Sequence, residues 1–96
     1  MGATLYDRGD FERAIRSLGS AEPIWQSNEP LVKIAAHKLM AFSACALGRR
    51  QACRDAFDAL LKIDPGFELT PAEAGHPIWG PIFVEAKQAA RTGTGR

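Results

Sequence analysis

ALGRRQACRDAFDALLKIDP, residues Ala46–Pro65, holds the end of one helix, a turn and the whole of the next helix. Gly48 follows a long apolar run and is placed to end it in the left-handed conformation that glycine tolerates. Arg49 and Arg50 make the turn. Cys53, Ala56, Phe57 and Leu60, with Leu61 or Ile63, then recur three and four apart, the spacing of one apolar helix face over about residues 51–63. Asp64-Pro65-Gly66 stops the chain, because proline cannot continue a helix and glycine favours a turn. The stretch is a helical hairpin, and the all-α reading of the chain grows from it.

Upstream, QSNEPLVK opens the longest helix. Ser27 or Asn28 is the expected cap, and Glu29 and Pro30 suit a first turn by charge and by fixed φ. From Leu31 to Leu47 apolar residues fall nearly all round the helix, among them Val32, Ile34, Ala36, Leu39, Phe42 and Ala44. Such a helix is expected at the centre, packed on more than one side. Earlier still, Phe11, Ala14, Ile15 and Leu18 form a stripe, with Asp10 as N-cap and Gly9 in the turn before it. Gly2 to Arg8 reads as the tail of a preceding helix with Leu5 and Tyr6 as its contacts. Pro23 is expected to end any helix, leaving Ile24 and Trp25 as loop residues folded onto the core.

Downstream, Thr70-Pro71-Ala72-Glu73 has the form of a capping box, and Gly75 limits it to a single turn. His76-Pro77 restarts a helix, with His76 a cap or an exposed loop residue. Trp79, Ile82, Phe83, Ala86 and Ala90 are expected on one face, with Gly80-Pro81 weakening or bending the first turn. No stretch reads as a strand. The organisation predicted is one domain over residues 1–91 and a frayed tail over 92–96.

The chain has 96 residues, 46% of them hydrophobic and 24% charged, with a formal net charge of +1 and interspersed signs. This balance is that of a soluble globular domain and offers no basic block for nucleic acid. No apolar run approaches the ~18 residues of a membrane span, and MGATLYDRGD lacks the basic and apolar regions of a secretory leader. A soluble compartment is expected. Because Met1-Gly2-Ala3 runs straight into a helical pattern, the chain is also expected to be an excised fragment. Cys45 and Cys53 are too few for a disulfide scaffold and are expected as reduced, buried small hydrophobes. With His37 they lack the close spacing of a zinc site, GTGR precedes no helix, and no nucleophile–base pair or carboxylate pair stands out. Neither cofactor nor metal nor enzymatic activity is expected.

The stripe around Gly9 also lies over the one around Gly48, 39 positions on: Gly9 over Gly48, Ala14 over Cys53, Leu18 over Phe57. Repeated hairpins of this scale bury their apolar faces against one another. The second hairpin, with Ala41, Ala44, Gly48, Cys53, Phe57 and Pro65, resembles the tetratricopeptide repeat, whose period is about 34 residues. It departs from that pattern at His37 and Arg50, and about five residues near PIWQS are inserted. The resemblance covers Ala3 to Pro65. The ending IDPGFEL…P…HP…F..AK is similar to that of small tetratricopeptide-like domains of bacterial envelope or secretion proteins, which would make Pro77–Arg91 a capping helix.

The resemblance implies a concave face formed by Ala3, Tyr6 and Asp7, then Lys38, Phe42 and Cys45. Lys38 and Phe42, four apart, would meet a protein or peptide partner, unless Phe42 is simply core on a helix that is apolar nearly all round. Trp79 is either the anchor of the closing helix or a partner contact, and Lys87 a contributor from the last helix. The function implied is non-enzymatic protein–protein interaction as a bacterial scaffold or adaptor, cytoplasmic or periplasmic. The alternative is self-assembly as a homo-oligomer within a larger envelope or secretion protein, through a flank at Leu5, Tyr6 and Ile15.

Overall fold

The turn at Gly48 sets the architecture. In the computed structural model, which describes residues 8–92, six helices follow one another. They are α1 (Phe11–Gly19), α2 (Glu22–Trp25), α3 (Pro30–Ala46), α4 (Arg50–Ile63), α5 (Pro71–Ala74) and α6 (Trp79–Thr92). No strand occurs among the described residues. The expected helix over Gly2–Arg8, with Ala3, Leu5, Tyr6 and Asp7, falls on residues 1–7, outside those described, as does most of the predicted tail.

α3 ends in a complete Schellman motif. Gly48 sits at φ 78°, its amide donates to the Cys45 carbonyl at 3.0 Å, and the Arg49 amide donates to the Ala44 carbonyl at 2.8 Å. The glycine conformation and the cap after it recur before α1. Gly9 has φ 79°, and the N-caps that follow the two glycines match: Asp10 at φ −90°, ψ 70° and Arg49 at φ −92°, ψ 77°. Each of these caps accepts a 3.0 Å bond at its carbonyl from the residue four on, Ala14 or Cys53. Neither uses its side chain as a cap; the Asp10 carboxylate instead lies 3.4 Å from Arg13. Arg49 ties the two turns together through a 2.7 Å ion pair with Glu12.

Valine at position 48 would have to hold a β-branched side chain at positive φ, although no neighbour lies within 4 Å of its Cβ. Gly48→Val is therefore expected to cost about 1–2 kcal/mol by backbone strain alone, read from the urea midpoint at unchanged slope.

Packing follows chain order: α1 lies on α3, α3 on α4 and α4 on α6, with α2 also against α3. α1 contributes buried Ala14 and Leu18. α4 contributes Cys53, Phe57, Leu60 and Leu61, and α6 contributes Ile82, Phe83 and Ala86. α3 is central as expected, yet not covered at its start: Leu31 is 73% exposed and Val32 41%. Ala90, assigned to the α6 stripe, is exposed as well.

Several local expectations are corrected. Pro23 begins a helical turn rather than ending one, since proline lacks only an N–H that the first turn leaves unpaired. Trp25 is the last residue of that turn; its indole N–H donates to the Leu18 carbonyl at 2.9 Å, and its ring packs at 4.8 Å on His37. Burial against that indole lowers the His37 pKa, because it disfavours the charged ring. The cap of α3 is Glu29, not Ser27 or Asn28; the Ser27 hydroxyl accepts from the Glu29 amide at 3.0 Å and closes the turn before the helix.

The cysteines are joined: Cys45 and Cys53, 5.3 Å apart at Cα, form a disulfide. The expectation of two reduced thiols ignored how the three-residue connection Leu47–Arg49 folds. Positions three before and five after Gly48 lie face to face on antiparallel helices, within the Cα range of a disulfide.

Lastly, α6 begins at Trp79 rather than Pro77. His76 acts as its cap, Nδ1 accepting from the amides of Ile78 at 3.1 Å and Trp79 at 3.4 Å. Gly80, buried in that first turn, comes so close to α5 that a Cβ would stand 2.5 Å from the Ala74 carbonyl oxygen. Only glycine permits this approach.

Candidate functional site

The candidate face is a row on α3. Leu31, Ala35, Lys38 and Phe42, at steps of four, three and four, lie one above another on a helix, and Cys45 continues the line. Burial rises steadily along it. Leu31 is 73% exposed, Ala35 is exposed, the Lys38 side chain is 29% exposed, Phe42 is 4% exposed and Cys45 2%. The open end is the start of α3.

The closed end lies under the knuckle Thr70–Trp79. The capping box expected at Thr70 is complete: its hydroxyl accepts from the Glu73 amide at 3.2 Å, and Glu73 Oε1 accepts from the Thr70 amide at 3.0 Å. The other carboxylate oxygen reaches across to Lys38 Nζ at 3.0 Å. Partial burial alone would raise the Glu73 pKa. The Thr70 amide, the Lys38 ammonium and the Thr70 hydroxyl outweigh it and hold the carboxyl below its ordinary value of 4.5. The stability this pairing contributes is thus present above that value and is lost as pH falls through the depressed pKa beneath it.

Trp79 follows from the same knuckle. Its ring is stacked between Phe42, at 3.9 Å and 10°, and His76, at 3.5 Å and 7°, and its N–H donates to the Glu73 carbonyl at 2.9 Å. Lys38 Nζ also stands 5.9 Å from the Phe42 ring centre. The Phe42 face is therefore occupied by the protein itself.

Of the residues singled out from the sequence, Lys38, Phe42 and Trp79 are brought together, and Tyr6 lies outside the described residues. Phe42 takes the core reading: edge-on to Phe57 at 6.2 Å and roofed by Trp79, it presents no open surface. Cys45 is buried in the disulfide. Trp79 is the anchor of the closing helix. Lys87 stands apart, its Nζ donating to the carbonyls of Pro65 at 3.0 Å and Phe67 at 2.6 Å and pairing with Glu68 at 3.1 Å. It ties the loop after α4 to α6 and forms one wall of a groove of about 270 Å³ with Leu69, Phe83, Val84, Gln88 and Arg91.

Leu31, Glu73 and His76 were not picked as site residues from the sequence. The signal for Leu31 was present, since it falls on the row of Lys38 and Phe42. Nothing local tells that Glu73 would reach α3. Among the described residues no group of three His, Cys, Asp or Glu side chains is placed to hold a metal ion, and no helix is long and apolar enough to cross a membrane. No family model, curated protein or solved structure matches the chain.

Proposed function

We propose that this chain is a non-enzymatic protein–protein interaction module of tetratricopeptide-like build, in which a partner segment lies along the Leu31–Lys38 row of α3. The observation that carries the reading is Leu31, a large apolar residue 73% exposed on the helix that is otherwise the centre of the core. An exposed leucine alone is ordinary. Here it stands in line with Ala35 and Lys38 and leads to an aromatic pair. The tetratricopeptide-like build is supported by the duplicated glycine turn and by packing in chain order. The buried disulfide favours a compartment outside the reducing cytosol, in keeping with an envelope or secretion role. Self-assembly is the second reading; the mass of the protein in solution separates the two.

Leu31→Asp tests the proposal. The side chain makes too little contact to hold the fold, so unfolding free energy should stay within about 0.5 kcal/mol of the parent. A photo-crosslinker at position 31 identifies the bound protein in cells. Purified, that protein should bind the Leu31→Asp variant at least tenfold more weakly. Equal affinity for the two proteins removes this face from consideration.

A further inference from the structure

Apart from Trp79, which packs against the core, the knuckle is a surface element. α5 buries no residue, and Pro71, Ala72, Ala74, Gly75, Pro77 and Ile78 are all exposed. Its shape is set within itself: the capping box orients Glu73, the Glu73 carbonyl holds the indole N–H, and His76 caps and stacks beneath Trp79. What it presents to α3 is one carboxylate, at 3.0 Å from Lys38, and one aromatic ring, at 3.9 Å from Phe42. Beyond Trp79, its first residue, the closing helix has packing of its own. α6 packs chiefly on α4, with Phe83 edge-on to Phe57 at 5.2 Å. Lifting the knuckle therefore takes the first turn of α6 with it, while Ile82, Phe83 and Ala86 keep the rest of that helix docked.

We infer that Thr70–Trp79 is an internal occupant of the α3 interaction face, displaced by a protein segment that offers the same chemistry, a carboxylate for Lys38 and an aromatic ring for Phe42. The inference rests on the proposed function and names the partner's chemistry. Charge and shape both argue for such a segment. Lys38 has one carboxylate beside it, which a second can replace, and the Phe42 ring accepts any flat ring at stacking distance. The row then runs on to Ala35 and Leu31, where a longer segment gains contacts that the knuckle does not reach. A partner pre-shaped as the knuckle is loses little freedom on docking.

The probe is a fluorescein-labelled peptide of residues 69–80, LTPAEAGHPIWG, titrated into the parent and into Glu73→Gln/Trp79→Leu, whose own knuckle has lost the carboxylate charge and the aromatic ring. The variant should bind the peptide at least tenfold more tightly than the parent, and adding Lys38→Glu should abolish the gain. Equal binding, or none up to millimolar peptide in a variant that still melts cooperatively, overturns the inference. If the double variant does not fold, hydrogen exchange in the parent decides. The Ile78 and Trp79 amides should be at least a hundredfold less protected than those of Phe57 and Leu60, and equal protection shows that the knuckle opens only with the whole domain. A parent dimer that dissociates on Trp79→Leu assigns the face to a second copy and likewise overturns the inference. Failure of the peptide together with weakened partner binding in Leu31→Asp leaves the proposed function standing and removes only the internal occupant.

Discussion

Phe57→Ala should lose about 3–5 kcal/mol of unfolding free energy, against the roughly 5–15 kcal/mol that holds an ordinary domain together. Phe57 is fully buried on α4, edge-on to Phe42 of α3 at 6.2 Å and to Phe83 of α6 at 5.2 Å. Three helices meet on this one ring. Truncation removes the transfer energy of the ring and leaves a void that no single helix can fill by shifting, because each is also fixed by its other contacts. Denaturant unfolding at unchanged slope reads the loss directly. Phe57→Leu, which keeps most of the volume, should cost less than half as much. A loss under about 1 kcal/mol for the alanine variant would show that the three helices close without the ring.

Reduction of the disulfide carries the second large effect. The bond joins residues eight apart across the Gly48 turn, and the loop-closure relation gives about 2–3 kcal/mol for a loop of this length. For a domain of this size that corresponds to a fall in melting temperature of about 10 °C or more. The reduced protein should remain folded, since two buried thiols still pack as small apolar groups and the Schellman motif still ends α3. Cys45→Ala/Cys53→Ala should melt close to the reduced parent and be insensitive to dithiothreitol. An unchanged melt, with a thiol count confirming full reduction, would sink the expectation.

The helices were legible because their signals are local. The left-handed Gly48, the turn glycine at 9, the stripe of α4 and the capping box at Thr70 are each written within a few residues, and each stands as read. The site was less legible because it depends on distance in sequence. Lys38 and Glu73 are 35 residues apart, and nothing in either neighbourhood announces the pair. Trp79 and Phe42 were both noted, but an aromatic on a helix reads equally as core and as contact until its neighbour is known. The disulfide was missed for a different reason. Counting cysteines ignores that a three-residue turn between antiparallel helices makes positions eight apart into neighbours.

Gly80 has a consequence for recognising divergent relatives. Its missing side chain lets α6 start against the Ala74 carbonyl, where even a methyl group would stand 2.5 Å from backbone. That contact is between main chains, so no change elsewhere in the side chains can relieve it. The surface around it is free to drift, as exposed Val84 and Gln88 are, and even the stacked His76–Trp79 pair has chemical equivalents. In any chain that keeps this knuckle, a glycine six positions after the last residue of the single-turn helix should outlast the aromatic residues around it. It is the one position there at which selection has a single amino acid to choose from.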